Sequence, residues 1–294
     1  MIPEGKVAIV SNDAGGAELV SSWLVHNKIS HALSLDGPAR DIFQRKIGSY
    51  QDFGYKGAIN QSNWVLTGTG WSSKLELNAI KYALSINKYV VSILDHWVNY
   101  QERFLDGSKI YLPDEIWVTD KIALKEAKSS FKNVKIRLIN NHYLDDLLSE
   151  IGQYEKHYCS EGSTNILYLC EPMRTDWGKK DEQGEFQAMR LFFNNLHKIP
   201  RSNEANIFLR LHPSEAYNKY DDFIKNNFPG VKVNKIKDIP LSKQIAQSDI
   251  VVGCETYALA IAIQAKKKVF STLPPWAPEC VIPYKKIKHL KEFV

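Results

Sequence analysis

The sequence predicts an α/β protein built on two doubly wound parallel sheets. Segments with strand character alternate with segments of helical spacing about six times before residue 152, and the alternation restarts at residue 164. Such alternation requires crossover connections, which make neighbouring strands parallel. Between the two halves, residues 153–163 are polar and have no periodic pattern. We therefore predict two Rossmann-like domains, residues 1–152 and 164–294, that face each other across a cleft.

In the first half, the predicted strands are residues 6–10, 31–35, 64–67, 89–94, 113–118 and 134–139. Helical spacing is found at residues 17–27, 39–46, 75–86, 121–131 and 144–151. Asp120 is expected to cap the fourth of these helices. In the second half, the predicted strands are residues 165–170, 206–211, 231–236, 249–252 and 268–271, and the predicted helices are 185–196, 217–227, 241–246 and a last one ending near 265.

The composition is that of an ordinary globular protein, with 44% hydrophobic and 24% charged residues among 294. The apolar runs are shorter than the roughly 18 residues of a membrane-spanning helix, and the first residues lead directly into a strand. We therefore expect neither a membrane span nor a signal peptide. The cysteines, Cys159, Cys170, Cys254 and Cys280, show no CxxC spacing. We expect them to be reduced and structural, in a cytoplasmic protein.

Positive charge is concentrated in the second half. Residues 1–155 contain 17 Lys and Arg against 18 Asp and Glu, whereas residues 156–294 contain 21 against 15. Most of the excess comes from Lys266, Lys267, Lys268, Lys285, Lys286, Lys288 and Lys291. This excess fits a phosphorylated ligand or a peripheral contact with an anionic membrane, although a solvated surface explains any single lysine equally well. Basic and aromatic residues are not interleaved, so nucleic acid is not an expected partner.

The loop after the first strand, residues 11–16, is a candidate site. The pair Gly15 and Gly16 lets a ligand approach the backbone at the start of a helix, where anions are favoured. The loop lacks the GxGxxG spacing of dinucleotide-binding folds. Asp13, which follows Asn12, can act as a general base at this strand end, or it can simply cap the helix.

A second candidate loop follows the fourth strand, at residues 95–100. Asp95 and His96 can exchange protons, and Trp97 and Tyr100 add aromatic surface, so the loop suits an acceptor site. The alternative is that Asp95 caps a turn and that both aromatic rings belong to the core.

The strongest candidate in the second half begins where strand 206–211 stops. Pro213 lacks an N–H and moves its predecessor out of the α region, so the strand ends at His212. Ligands of open α/β sheets bind outside the carboxyl ends of the strands. The residues at this strand end are Arg210, His212, Pro213, Ser214 and Glu215. An isolated His-Pro pair would indicate only a tight turn.

A second loop of the same kind strengthens this interpretation, because two adjacent loops can hold one ligand. It follows strand 249–252 and leads into an apolar helix. Its residues are Gly253, Cys254, Glu255 and Thr256, and Glu171 follows strand 165–170 in the same way.

These features together resemble the GT-B glycosyltransferases. The His212-Pro213 strand end is similar to the His-Pro motif of bacterial sialyltransferases and of capsule and teichoic-acid glycerophosphate transferases, whose histidine contacts the donor phosphate. Residues 253–257 resemble the segment that holds the donor's phosphate and ribose, with Glu255 at the carboxylate position. Residues 12–16 resemble the glycine-rich loop near the acceptor. The Asp/Glu-Asp/Glu-Gly motif of bacterial sialyltransferases is absent, and Gly253-Cys254 replaces the doubled glycine-serine of many nucleotide-sugar enzymes.

The resemblance implies transfer of a sugar from a CMP- or UDP-linked donor to a surface-glycan or lipid-linked acceptor, as in capsule or lipopolysaccharide synthesis. The base would be Asp13, with Asp95 and His96 as runners-up. The nucleotide sugar is a co-substrate, so neither a cofactor nor a metal is expected, and the enzyme would be cytoplasmic and peripheral to the inner membrane. Two alternatives stay open: a nucleotide-sugar 2-epimerase or hydrolase of the same fold, and a non-catalytic sugar- or nucleotide-binding protein.

Overall fold

The computed structural model describes residues 2–70, 73–158, 162–173, 177–179, 182–202, 205–212 and 214–293. Its contacts divide the chain into two compact units, Met1–Asp145 and Asp146–Val294. Each unit is an α/β structure built on a six-stranded parallel sheet, which confirms the predicted fold class.

The first unit carries the sheet order β2-β1-β3-β4-β7-β8, with every pair parallel. Its strands are β1 (Val7–Ser11), β2 (His31–Leu35), β3 (Trp64–Thr67), β4 (Tyr89–Ile93), β5 (Leu105–Asp106), β6 (Lys109–Ile110), β7 (Glu115–Val118) and β8 (Lys135–Leu138). Its helices are α1 (Ala14–Asn27), α2 (Pro38–Ile47), α3 (Gly54–Asn60), α4 (Leu75–Ser85) and α5 (Lys121–Ser130), and α6 (His142–Glu155) crosses the division. Strands β5 and β6 form a separate antiparallel hairpin.

Helices cover both faces of this sheet because its strands are apolar on both sides. Val7 and Ile9 join the core beneath α1 and α2, while Ala8 between them points to the opposite face and is equally buried. Three tryptophans, Trp23, Trp64 and Trp117, meet in that core with ring centroids 5.2–6.0 Å apart. Strands buried on both faces are typical of parallel sheets.

The second unit carries the sheet order β11-β10-β9-β12-β13-β14, again with every pair parallel. Its strands are β9 (Asn165–Leu169), β10 (Asn206–Arg210), β11 (Val233–Ile236), β12 (Ile250–Gly253), β13 (Lys268–Ser271) and β14 (Lys288–His289). Its helices are α7 (Gly184–Asn194), α8 (Asp221–Asn227), α9 (Leu241–Ala246) and α10 (Tyr257–Gln264). Phe192 of α7 packs on Tyr168 of β9, and Phe186 of α7 packs on Phe223 of α8.

Several elements differ from the sequence prediction. Helix α3, the β5–β6 hairpin and strand β14 were not predicted, because each is too short to show a period. Helix α8 begins at Asp221, since residues 217–220 form turns. Helix α6 runs on to Glu155 and so includes the first residues of the predicted linker. Asp120 caps α5 as predicted, accepting hydrogen bonds from the amides of Ile122 and Ala123.

In each sheet the first strands along the chain extend the sheet to one side, and the later strands extend it to the other side, so the strand order reverses at one position. In the first sheet this switch point lies between β1 and β3, and in the second between β9 and β12. Ligands of open α/β sheets bind outside the carboxyl ends of the strands at such points. The loops that follow these four strands are therefore where a site is expected.

Candidate functional site

In the first unit, the loops after β1 and β3 touch at the switch point. Asp13 occupies the N-cap position of α1, but its side chain makes no capping hydrogen bond. A Cβ added to Gly70 would lie 2.8 Å from the Asp13 Cβ, so the half-buried Asp13 side chain rests against the Gly68–Gly70 loop. The structure therefore does not support the alternative that Asp13 serves only as a cap.

Two glycines allow the β1 loop to approach its neighbours closely. A Cβ on Gly15 would lie 2.0 Å from Asp95 Oδ2, and a Cβ on Gly16 would lie 3.1 Å from the Gly68 Cα. The start of α1 is therefore packed against both the β3 loop and the β4 loop. Asp13 and Asp95, both proposed as the base from sequence, belong to one cluster at this edge.

Asp95 is held by an arginine that the sequence did not single out. Its Oδ1 lies 2.7 Å from Arg103 Nη1, which also donates to the carbonyl of Thr69 at 2.7 Å. The two charged side chains are only 14% and 5% exposed. This ion pair links the β4 loop to the Gly68–Gly70 loop.

The next residues of the β4 loop, His96, Trp97 and Tyr100, are half-buried or buried in the first unit. Burial lowers the pKa of His96, an effect that Arg103 adds to and Asp95 opposes, so the imidazole is neutral at pH 7 and can accept a proton. Trp97 donates to Asp120 Oδ2 at 2.8 Å, and Tyr100 stacks on Phe131. Both aromatic side chains are buried, as in the alternative that assigns them to the core.

Glu76, in the first turn of α4, is a site residue that sequence reasoning missed. It is 3% exposed, and its Oε1 accepts the amide of Asn12 at 2.7 Å and that of Asp13 at 3.4 Å. Burial raises the pKa of this carboxyl, against hydrogen bonds from the backbone and with a further contribution from the Asp13 charge. The available signal was a carboxylate shortly after the Gly68-Thr69-Gly70 loop.

In the second unit, His212 is exposed at the end of β10 and is held by Ser214. The amide N–H of Ser214 points to His212 Nδ1 at 3.3 Å, and the Ser214 hydroxyl lies 2.7 Å from the same atom. An amide can only donate, so Nδ1 is the acceptor and Nε2 carries the hydrogen in the neutral ring. Beside His212 is a cavity of about 510 Å³ at the ends of β10 and β11. Its lining includes Arg210, Tyr217 and Ile239.

Two residues that were predicted to bind the nucleotide-sugar donor, Arg210 and Glu215, have partners within the second unit. Arg210 Nη1 donates to the Ile239 carbonyl at 2.8 Å and to Gln244 Oε1 at 2.6 Å, which ties β10 to α9. Glu215 pairs with Lys219 and accepts the Tyr220 hydroxyl at 2.9 Å. Both residues still line the cavity, but their charged groups primarily stabilise its walls.

The loop after β12 is held by Glu171, which follows β9. Glu171 Oε1 accepts the amides of Cys254 at 2.7 Å and Glu255 at 3.0 Å, at the start of α10. Burial raises the pKa of Glu171 to about 7, although hydrogen bonds from these amides favour its ionised form. A Cβ on Gly253 would lie 3.2 Å from Glu171 Oε1, so glycine permits this approach.

The other residues of this loop are also engaged. Thr256 caps α10 by accepting the Ala258 amide at 3.4 Å, and Glu255 Oε2 accepts the Val281 amide at 3.2 Å. Cys254 is buried, and burial raises the pKa of its thiol. Since β10 and β12 flank β9, His212 and the Gly253–Thr256 loop follow strands on either side of Glu171.

Some predictions lie elsewhere or outside the described residues. Pro213 and Cys159 are not described, and Cys170, Cys254 and Cys280 are free cysteines. Lys268 and Lys288 begin β13 and β14, so the lysines up to Lys288 lie at the amino ends of these strands, opposite the candidate site, and Lys291 follows β14. Within the described residues, no helix is long and apolar enough to cross a membrane, and no group of three or more His, Cys, Asp and Glu side chains could hold a metal ion.

Solved structures with the same fold include a nucleotide-sugar epimerase, MurG and a wall teichoic acid polymerase. The UDP-GlcNAc 2-epimerase from Neisseria meningitidis, bound to UDP-GlcNAc, is 13% identical with a TM-score of 0.59 over 90% of this chain and 82% of that chain. MurG from Acinetobacter baumannii is 10% identical with a TM-score of 0.53 over 99% and 90%. The wall teichoic acid polymerase TagF is 12% identical with a TM-score of 0.50 over 90% and 70%.

No protein-family model and no curated protein sequence matches the chain. At these identities, the likeness to solved structures shows the fold alone. The two six-stranded parallel sheets have the GT-B type of architecture that the sequence resemblance implied.

Proposed function

We propose that the protein is a nucleotide-sugar-dependent glycosyltransferase that moves a sugar from a CMP- or UDP-linked donor to a surface-glycan or lipid-linked acceptor. One observation carries the proposal: Ser214 hydrogen-bonds His212 at Nδ1, so the neutral ring carries its hydrogen on Nε2, and the side chain lines a cavity of about 510 Å³. This volume suits a nucleotide-sized ligand. A fixed N–H at that position can donate to the phosphate and stabilise the charge that develops as it leaves.

The residue proposed as the base belongs to the first unit. Sugar transfer needs a base for the acceptor hydroxyl as well as donors for the leaving phosphate. Asp13 lies at the switch point of the first sheet, against the Gly68–Gly70 loop, and we assign it the role of base. A solved structure of the same fold that holds UDP-GlcNAc supports a nucleotide sugar as the ligand.

A nucleotide-sugar 2-epimerase or hydrolase is the second candidate. It is favoured by the TM-score of 0.59 with a structure that carries the name UDP-GlcNAc 2-epimerase. Incubation with UDP-GlcNAc and with CMP-linked sugars separates the two, because an epimerase converts or hydrolyses its substrate without any acceptor. A transferase should hydrolyse its donor slowly and turn over faster when acceptor glycan is added. A non-catalytic binding protein would bind nucleotide and do neither.

The His212→Ala substitution tests the nucleotide site. We expect nucleotide binding to weaken by about 1.5–3 kcal/mol, the range for a hydrogen bond to a charged group. Isothermal titration with the nucleotide that best raises the melting temperature of the wild type measures this loss. The control is His197→Ala, since His197 is an exposed histidine of the same unit outside the cavity. Unchanged affinity in a folded His212→Ala protein would mean that residues 212–214 form only a turn.

The proposal also includes a peripheral membrane contact through the lysines near β13 and β14. Lys266, Lys268, Lys285, Lys286 and Lys288 are exposed, whereas Lys267 pairs with Glu155 at 2.7 Å. Exposed lysines at one end of a sheet are attracted to anionic lipid. Sedimentation with phosphatidylserine vesicles at low salt tests the contact, and a protein that stays in the supernatant would remove it from the proposal.

A further inference from the structure

A small cavity lies beside the predicted base in the first unit. It has a volume of about 180 Å³ and opens at the carboxyl end of β3. It is lined by the Gly68–Gly70 loop, by Ser73, Lys74, Glu76, Leu77 and Ile80 around the start of α4, and by Glu102, Arg103 and Leu105. Pockets for drug-sized ligands measure roughly 300–1,000 Å³, so this cavity suits a single small ring rather than a nucleotide.

The lining combines polar groups with aliphatic surface. Leu77, Ile80 and Leu105 provide apolar wall, while Glu76 and Glu102 provide carboxylates. Both cations in the lining are already paired: Lys74 with Asp106 at 2.8 Å, and Arg103 with Asp95 at 2.7 Å. A phosphate would find little uncompensated positive charge here. An uncharged molecule with hydroxyl groups on an apolar ring fits this surface better.

Glu76 has hydrogen-bonding capacity to spare. Its Oε1 is occupied by the backbone amides of Asn12 and Asp13. Its Oε2 is buried and makes no hydrogen bond with any described residue. Leaving a buried polar atom unsatisfied is unfavourable, which makes this oxygen a candidate partner for a bound molecule. Because the two amides hold Oε1 as an acceptor, the proton of a neutral Glu76 carboxyl resides on Oε2, which can then donate to a hydroxyl.

We propose that this cavity is a sugar subsite, in which Glu76 hydrogen-bonds a hydroxyl of one uncharged sugar ring next to Asp13. The inference rests on the proposed function and adds to it the place where the first unit holds a sugar. The cavity and Asp13 are neighbours because the Gly68–Gly70 loop lines the cavity and also contacts the Asp13 side chain. The ring can belong to the nucleotide sugar or to the acceptor, and the binding experiments below separate these sources.

The test uses the full chain and two substitutions of different kinds. Leu105→Trp adds bulk at the rim of the cavity, at a residue that is 37% exposed, so folding should be preserved. Glu76→Gln retains an oxygen for the two amides and places an NH₂ donor at the second position. We expect Leu105→Trp to weaken sugar binding about tenfold or more and Glu76→Gln to change it by less than about threefold.

Two measurements identify the source of the sugar. If the ring belongs to the donor, Leu105→Trp reduces the affinity for UDP-GlcNAc and leaves that for UDP unchanged. If it belongs to the acceptor, saturation-transfer NMR with a panel of neutral monosaccharides shows binding to the wild type that Leu105→Trp removes. The proposal is overturned if Leu105→Trp melts normally and changes neither the affinity for UDP-GlcNAc nor the monosaccharide NMR signal. It is also overturned if the wild type binds UDP-GlcNAc no more tightly than UDP and gives no monosaccharide signal. Nucleotide binding that His212→Ala leaves unchanged would instead refute the proposed function and leave the sugar subsite standing.

Discussion

Two buried glutamates, Glu76 and Glu171, make the same kind of contact at the two switch points. Glu76 accepts the amides that follow β1, and Glu171 accepts the amides that follow β12. Glu76 follows β3, the neighbour of β1 in the first sheet, and Glu171 follows β9, the neighbour of β12 in the second. A buried carboxylate that accepts backbone amides fixes the course of a loop, because those amides would otherwise be left unsatisfied. The site loops are therefore ordered by two buried carboxylates, of which the sequence identified Glu171 but not Glu76.

The predicted base is tested by replacing Asp13 and Asp95 separately with asparagine. Asp13→Asn should lower turnover by about 10² to 10⁴ with little change in melting temperature, because asparagine keeps the size of the side chain and one of its acceptor oxygens. Asp95→Asn should lower the melting temperature, since it weakens the hydrogen bond to Arg103 by roughly 1.5–3 kcal/mol. Steady-state kinetics and thermal unfolding of both variants measure these effects.

The opposite pattern would reassign the base. Full turnover in Asp13→Asn, together with loss of activity in a stable Asp95→Asn protein, would place the base on the β4 loop. His96 would then be the next residue to replace, because burial keeps its imidazole neutral.

At the scale of elements, the start of α1 is placed by glycine contacts with two neighbouring loops. Gly16 meets the backbone of Gly68, and Gly15 meets the carboxylate of Asp95. Neither contact leaves space for a methyl group, so the helix position, the ion pair and the Gly68–Gly70 loop depend on one another. The sequence shows the glycine pair but not the side chain that requires it.

Gly15→Ala should therefore displace Asp95 and lower both melting temperature and turnover. Gly57→Ala is the matched control: it lies in helix α3, its added Cβ meets nothing closer than Phe53 at 3.5 Å, and it should stabilise by about 0.5–1 kcal/mol. If Gly15→Ala acts through Asp95, it should lower the free energy of unfolding by less in an Asp95→Ala protein than in the wild type. Equal costs in both backgrounds, measured by denaturant unfolding, would contradict this coupling.

At the scale of the whole molecule, the alternation of elements predicted the fold class, because each βα unit carries its period in its own residues. Strand order could not be predicted, since the pairing of β9 with both β10 and β12 is a property of contacts distant in sequence. The loops of the candidate site were found for the same local reason, as polar residues at strand ends. Glu76 and Arg103 were missed because their partners, Asn12 and Asp95, come from other loops.

Stability of the whole chain should depend on pH through two buried carboxyls with opposite shifts. Burial of Glu115 disfavours its charge, but hydrogen bonds from Arg137, Lys135, Trp117 and Tyr89 outweigh this and lower its pKa to about 2. Its stabilising contribution is complete above the unfolded value of 4.5 and is lost as the pH falls towards 2. For Glu171, burial raises the pKa to about 7, so its favourable contribution is complete below 4.5 and is lost as the pH rises through 7.

We therefore predict that two glutamine variants change stability in opposite pH ranges. Glu115→Gln should be less stable than the wild type at neutral pH, and the difference should shrink as the pH falls from about 4.5 to about 2. The free energy of unfolding of Glu171→Gln, relative to that of the wild type, should rise between about pH 4.5 and pH 7 by up to roughly 3 kcal/mol. Above pH 7 the difference between the two proteins should stay constant. Thermal unfolding of the full chain from about pH 3 to about pH 8 measures both curves. Parallel curves for wild type and Glu171→Gln across that range would show that Glu171 has an ordinary pKa and that its contact with the Cys254 and Glu255 amides fully compensates its burial.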